Sequence, residues 1–105
     1  MSNFIPSEIE IYKMTDILSI ASDGTRLKIM FSLWDKDSDQ IIEKNVSEII
    51  NDTGASQSLI SHQLKILKEA NLVSQRRSGR KIYYSLVDEH VIQILKVVLE
   101  HAMEK

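Results

Sequence analysis

The sequence predicts a mainly α chain with one β-hairpin, in the order helix–helix–short helix–turn–helix–hairpin–helix. Three observations carry this reading. Apolar residues recur at helical spacing before residue 70 and again after residue 88. A Thr53-Gly54-Ala55 turn separates a short helix from a longer one with a polar start. Between Leu72 and Leu86 the rhythm changes to β-branched and aromatic runs on either side of Ser78-Gly79-Arg80. That order is a winged helix-turn-helix.

Each element has its own signal. Ser7 to Ala21 carries Ile9, Ile11, Tyr12, Met14, Ile17, Leu18 and Ala21 at helical spacing. Ser22-Asp23 offers caps for a second helix from Thr25 to about Trp34, with Leu27, Met30, Phe31 and Trp34 on one side. Asp35 to Lys44 reads as a polar, acidic connection. A short helix from Val46 to about Asp52 turns Val46, Ile49 and Ile50 inward. Ser56 is the expected N-cap of the next helix, where Ile60, Leu64 and Leu67 form the inner stripe. Leu72–Arg77 and Lys81–Leu86 are the expected strands, and a last helix runs from Asp88 to the C-terminus.

Composition narrows the class. With 105 residues, 43% hydrophobic and 27% charged, the chain has room for one core, expected as a single domain over 1–105. The absence of Cys removes disulfides, thiolate metal sites and cysteine nucleophiles, and suits a reducing cytoplasm. The apolar runs are too short to span a membrane, and Met1-Ser2-Asn3-Phe4 lacks the basic start of a signal peptide. A net charge of −2 argues superficially against a nucleic-acid partner. The charges, however, are segregated. Asp35 to Asp52 holds six acids against Lys36 and Lys44, and Lys65 to Lys81 holds six bases against Glu69 alone. Such a block makes its own local potential.

The bases sit where a winged helix meets double-stranded DNA. Short polar residues open the helix after the turn: Gln57 offers a bidentate amide to adenine, and Ser58 and Ser61 reach bases or phosphates. His62 and Lys65 lie on the same outer faces. Arg76, Arg77, Arg80 and Lys81 on the hairpin are placed for phosphates or an adjoining minor groove.

These residues carry a family resemblance. Ala55-Ser56-Gln57-Ser58-Leu59-Ile60-Ser61-His62-Gln63-Leu64-Lys65 and Gly79-Arg80-Lys81-Ile82-Tyr83-Tyr84 resemble the recognition helix and wing of the ArsR/SmtB family of bacterial metal-sensing repressors. Asp23-Gly24-Thr25-Arg26-Leu27 resembles the family's Asp-Pro-Thr-Arg-Leu helix start, with Gly24 in place of Pro. The segment from Asp35 to Lys44 is longer than the family pattern. Where the family's thiolate sensors carry Cys-Val-Cys, this chain reads Asn45-Val46-Ser47, which disfavours arsenite, lead and cadmium sensing through sulfur.

The last helix carries Asp88-x-His90 and, further on, His101-x-x-Glu104. Imidazole nitrogens with carboxylate oxygens suit Zn²⁺, or a neighbouring ion such as Co²⁺ or Ni²⁺. His90 and His101 lie on one stripe but about 16 Å apart along the axis, at about 1.5 Å per residue. Ligands of a single zinc lie about 2 Å from it. One helix therefore cannot close the site, whereas an antiparallel copy can. The expected species is a homodimer with two sites, each taking Asp88 and His90 from one chain and His101 and Glu104 from the other. Val91, Ile94, Leu95, Val98 and Ala102 would divide between the dimer seam and the core.

The resemblance implies that the metal-free dimer binds a palindromic operator and represses, and that zinc lowers its affinity for DNA. It also implies a relay in which the free nitrogen of a coordinated His101 donates to a backbone carbonyl near Asn71, so that Asn71→Ala is expected to change little. No small organic substrate is expected. Four protein ligands leave no open position for water, which argues against an enzyme. Two alternatives remain at this level: a DNA-binding regulator gated by a non-metal signal, and a winged helix used only for protein interaction.

Overall fold

A computed structural model describes residues 2–104; Met1 and Lys105 of the expected 1–105 domain lie outside the described residues. The elements are α1 (Glu8–Ala21), α2 (Gly24–Ser32), β1 (Trp34–Asp35), β2 (Gln40–Ile41), β3 (Lys44–Asn45), α3 (Val46–Thr53), α4 (Gln57–Glu69), β4 (Val73–Ser78), β5 (Lys81–Leu86) and α5 (Glu89–Met103).

Side-chain caps set most helix starts. Ser7 and Glu10 form a reciprocal capping box at α1, and Asn45 and Glu48 form another at α3. Asp23 accepts from the Arg26 amide at 3.0 Å and Ser56 from the Leu59 amide at 3.3 Å. Ser22 is not part of the α2 cap; it closes α1 from the other side. Two left-handed residues end the helices of the central pair. Gly54 has φ 74° and closes α3. Asn71 has φ 60°, and its amide donates to the Lys68 carbonyl while the Leu72 amide donates to that of Leu67, both at 3.0 Å. This is a Schellman ending with Asn in the position Gly usually takes.

The core lies where α2, α3 and α4 meet. Ile29, Leu33, Ile49, Ile60 and Leu67 are fully inaccessible there. Val73 and Leu86 close it from the sheet, and Val91, Ile92 and Leu95 from α5. Ile92 belongs to this core although the sequence pattern did not single it out. The hairpin pairs Ser78 with Lys81, leaving a two-residue loop, Gly79-Arg80. Gly79 has φ 62°, as the first loop position of a tight primed turn requires. The predicted three-residue tip is therefore shorter by Ser78.

Two expectations need correction. The second helix stops at Ser32, and Trp34 belongs to β1. The acidic connection is not a bare loop: β1 pairs antiparallel with β2, and β3 adds to the wing sheet in the order β3-β5-β4. Backbone pairing satisfies peptide groups that a long loop would leave to water. Acidic content alone does not reveal it.

α1 is the least packed helix, the one with no buried residue among those described. Ile9, Tyr12, Met14 and Leu18 are exposed along it, as are Ile94, Val97, Val98 and Met103 on α5. The radius of gyration is 15.2 Å, against about 13 Å for a compact chain of this length. The excess reflects these projecting helices.

The left-handed positions give a stability test. No atom would crowd a Cβ at Gly54, so Gly54→Ala probes backbone strain alone and is expected to cost about 1–2 kcal/mol in urea unfolding. Asn71→Ala is expected to cost about 1 kcal/mol for the same reason, whereas Asn71→Gly should be close to neutral. The expectation that Asn71→Ala leaves the zinc response unchanged is a separate matter from this stability cost, and Asn71→Gly is the variant that tests it with the main chain unperturbed.

Candidate DNA-binding surface and metal centre

The turn at Gly54 and the Ser56 cap launch α4 so that Ile60, Gln63, Leu64 and Leu67 face the core. Gln57, Ser58, Ser61, His62 and Lys65 are exposed on its outer faces, so the expected base- and phosphate-reading residues share one surface. Leu59 is also exposed among them. An apolar side chain at this position reads as core, and its place off the inner stripe is the signal that it is not.

Gln63 is only 8% exposed, and its side-chain oxygen accepts from Arg26 Nη1 at 2.7 Å. Arg26 Nε donates to the Ile20 carbonyl at 2.6 Å. One guanidinium thus joins the end of α1, the start of α2 and the inner face of α4. Neither residue was assigned a task from sequence, because partners 37 positions apart leave no local pattern.

The wing separates its bases. Arg77, Arg80 and Lys81 are exposed and make no ion pair among the described residues. Arg76 is engaged differently: its Nε and Nη2 donate to the two Glu43 oxygens at 2.9 and 3.0 Å, and its guanidinium lies 5.2 Å from the Tyr83 ring centroid. The Arg76 hydrogen bonds hold the Glu43 carboxyl below the usual carboxylate range. Other acids are likewise occupied. Asp39 accepts from Trp34 Nε1 and Lys96 Nζ, each at 2.9 Å, and Asp52 pairs with Lys44.

The histidines and carboxylates of α5 form two separate pairs. Asp88 caps the helix through Oδ1, accepting from the His90 amide at 3.0 Å, while Oδ2 lies 3.6 Å from His90 Nδ1. At the far end His101 Nδ1 lies 3.5 Å from Glu104 Oε2, Glu104 being the C-cap rather than a helical residue. Two donors on one tetrahedral zinc stand about 3.3–3.5 Å apart, so the far pair lies at the limit of that spacing and the near pair just beyond it, while the imidazole and carboxylate chemistry of both suits such an ion. The side chains of His90 and His101 are 83% and 85% exposed. The continuous helix keeps the pairs apart, and among the described residues no group of three candidate ligands forms within one chain. Nor does His101 hydrogen-bond to Asn71 among the described residues.

The model of the bacterial regulatory protein ArsR family matches residues 23–75, which span α2 to the start of the wing. This chain belongs to the ArsR family. Members are transcription regulators, not enzymes. The chain is similar to the transcriptional repressor SmtB homolog of Synechocystis, 36% identical over 88% of this chain and 65% of that protein. It is 42% identical to the regulator NmtR of Mycobacterium tuberculosis over 54% of this chain and 48% of that protein. It is also 33% identical to the cadmium resistance regulator CadC homolog of Staphylococcus aureus, over 84% of this chain and 69% of that one. The matches thus span from about half to just over two thirds of these curated relatives. Among solved structures, NolR of Sinorhizobium fredii superposes with a TM-score of 0.76 at 34% identity, covering 95% of each chain. The homodimeric winged helix-turn-helix DNA-binding domain Mb0332 of Mycobacterium bovis superposes with a TM-score of 0.76 at 25% identity, covering 97% of this chain and 90% of that one. The winged helix-turn-helix expected from the sequence is the fold of this family, and no described helix is long and apolar enough to cross a membrane.

The Arg76–Glu43 pair predicts a titration. Because the folded-state carboxyl is depressed, the pair's contribution is present above the unfolded pKa and is lost as pH falls through the folded one. In Arg76→Ala, the Glu43 carboxyl followed by carbon-detected NMR is expected to move up into the ordinary carboxylate range.

Proposed function

We propose that this chain is a homodimeric, metal-responsive transcriptional repressor that leaves its operator when Zn²⁺, or a similar divalent ion such as Co²⁺ or Ni²⁺, binds between subunits. The observation that carries this reading is the placement of two exposed His–carboxylate pairs at opposite ends of α5, each joining an imidazole to a carboxylate. The exposed apolar face of the same helix supports a second copy alongside: Ile94, Val97 and Val98 lie between the two ligand pairs. A cavity of about 370 Å³ lined by Leu18, Leu27, Phe31, Ile94 and Val98 continues that face towards α1. The whole chain, 1–105, then acts as one winged domain whose terminal helices form the dimer interface.

In this reading Asp88 and His90 of one protomer, with His101 and Glu104 of its partner, hold the ion. What the ion supplies is coordination between subunits. His101 donates its free nitrogen to a main-chain carbonyl near Asn71, which connects the ligand helix to the end of α4. Gln57, Ser58, Ser61 and His62 meet the major groove, with Lys65, Arg76, Arg77, Arg80 and Lys81 at the backbone or adjoining minor groove. Fixing the two α5 helices fixes the relative placement of the two α4 helices. An arrangement that mismatches successive grooves lowers affinity, and operator must then weaken zinc binding by the same factor.

The test is the affinity for a duplex selected by the metal-free protein from a random pool, measured with and without zinc. Binding should weaken on addition of about one zinc per protomer. His101→Gln should retain the duplex and lose the zinc response. Release of the duplex from His101→Gln at micromolar zinc would remove that ligand from the site. Ile94→Glu with Val98→Glu should shift the protein to monomers in sedimentation, and a dimer that persists in this variant contradicts the proposed interface.

A further inference from the structure

The acidic segment that departs from the family pattern touches both functional ends of the molecule. At one end Asp39 takes hydrogen bonds from Trp34 Nε1 and from Lys96 Nζ on α5, and the Lys96 ammonium lies 5.8 Å from the Trp34 ring centroid. At the other end β3 is hydrogen-bonded into the wing, with Asn45 opposite Tyr83 and Tyr83 opposite Arg76. Glu43 immediately precedes β3, two places from Asn45 and so on the same face, and its carboxylate reaches diagonally to Arg76 beside Tyr83. Anchoring on both sides makes this more than a chance meeting of two mobile side chains.

Arg76 uses two N–H donors in a fork on Glu43, and the same fork is what a phosphodiester would take. A guanidinium cannot serve both acceptors with the same two donors. Among the wing bases, Arg77, Arg80 and Lys81 have no such competitor among the described residues. We propose that Glu43 sets the DNA affinity of the wing by occupying Arg76 as an intramolecular stand-in for a backbone phosphate, so that engagement of Arg76 by DNA is an exchange of acceptors.

This inference rests on the DNA-binding reading above, and a double-mutant cycle separates the two. The probe is a fluorescein-labelled duplex selected from a random pool by the wild-type protein, and binding is followed by anisotropy across a salt series. Glu43→Gln should bind about two- to fivefold more tightly at low salt, the scale of one exposed ion pair. Its log–log salt slope should steepen by up to about 0.9, the value for one additional phosphate contact. In an Arg76→Ala background Glu43→Gln should give neither change, and thermal melts should show that all four proteins are folded. Equal tightening in the Arg76→Ala background would mean simple repulsion between Glu43 and DNA, and would overturn the proposal. An unchanged affinity in Glu43→Gln would overturn it as well, while leaving the DNA reading intact. Failure to enrich any duplex would instead remove the DNA reading itself.

Discussion

A continuous α-helix of 15 residues is a rod about 22 Å long, and groups fixed at its two ends cannot converge. That rigidity governs what α5 can do. Its inner stripe, Val91, Ile92 and Leu95, is committed to the core, which fixes the way the helix faces. The Asp88 cap fixes the near pair, and the chain turns out of the helix at Glu104 to form the far one. The four candidate donors could therefore meet on one ion only if a second molecule supplied half of them. The apolar residues that α5 leaves exposed between the two His–carboxylate pairs are the surface on which such a molecule would lie.

Charge is organised by neighbourhood rather than by total. A chain of net charge −2 presents a wing with Arg77, Arg80 and Lys81 unpaired among the described residues, because its acids are drawn to other sites. Asp39 is held on α5, Glu43 on the inner part of the wing and Asp52 beside Lys44. Each pair is at least partly open to solvent and contributes little stability by itself. Their effect is to distribute potential: the base block on α4 and the wing tip keeps its field, and the acids are kept from the tip.

The elements most legible in the sequence were those specified by neighbouring residues. The caps at Asp23 and Ser56, the turn at Gly54 and the Ile60-Leu64-Leu67 stripe are short-range patterns, and the structure has them where the pattern puts them. Exposure of the expected DNA-facing residues on α4 follows from the same periodicity. Tertiary placement was less legible. Gln63 reads as one more polar residue until Arg26 is brought beneath it, and Trp34 reads as the end of a helix until pairing with Ile41 takes it into a strand. Glu43 and Arg76, 33 positions apart, meet only because β3 joins the wing sheet. Such contacts depend on which strands become neighbours, and composition carries no record of that.

The lone indole of the chain occupies an informative place. Trp34 donates to Asp39 at 2.9 Å and lies beneath the ammonium of Lys96, at the joint between the β1–β2 hairpin and α5. With excitation beyond the absorption edge of the three tyrosines its emission stands alone, and a nearby cation together with a hydrogen-bonded ring nitrogen makes the spectrum responsive to small displacements. The protein thus contains an intrinsic optical gauge of how its last helix is seated, readable without a label and without nucleic acid.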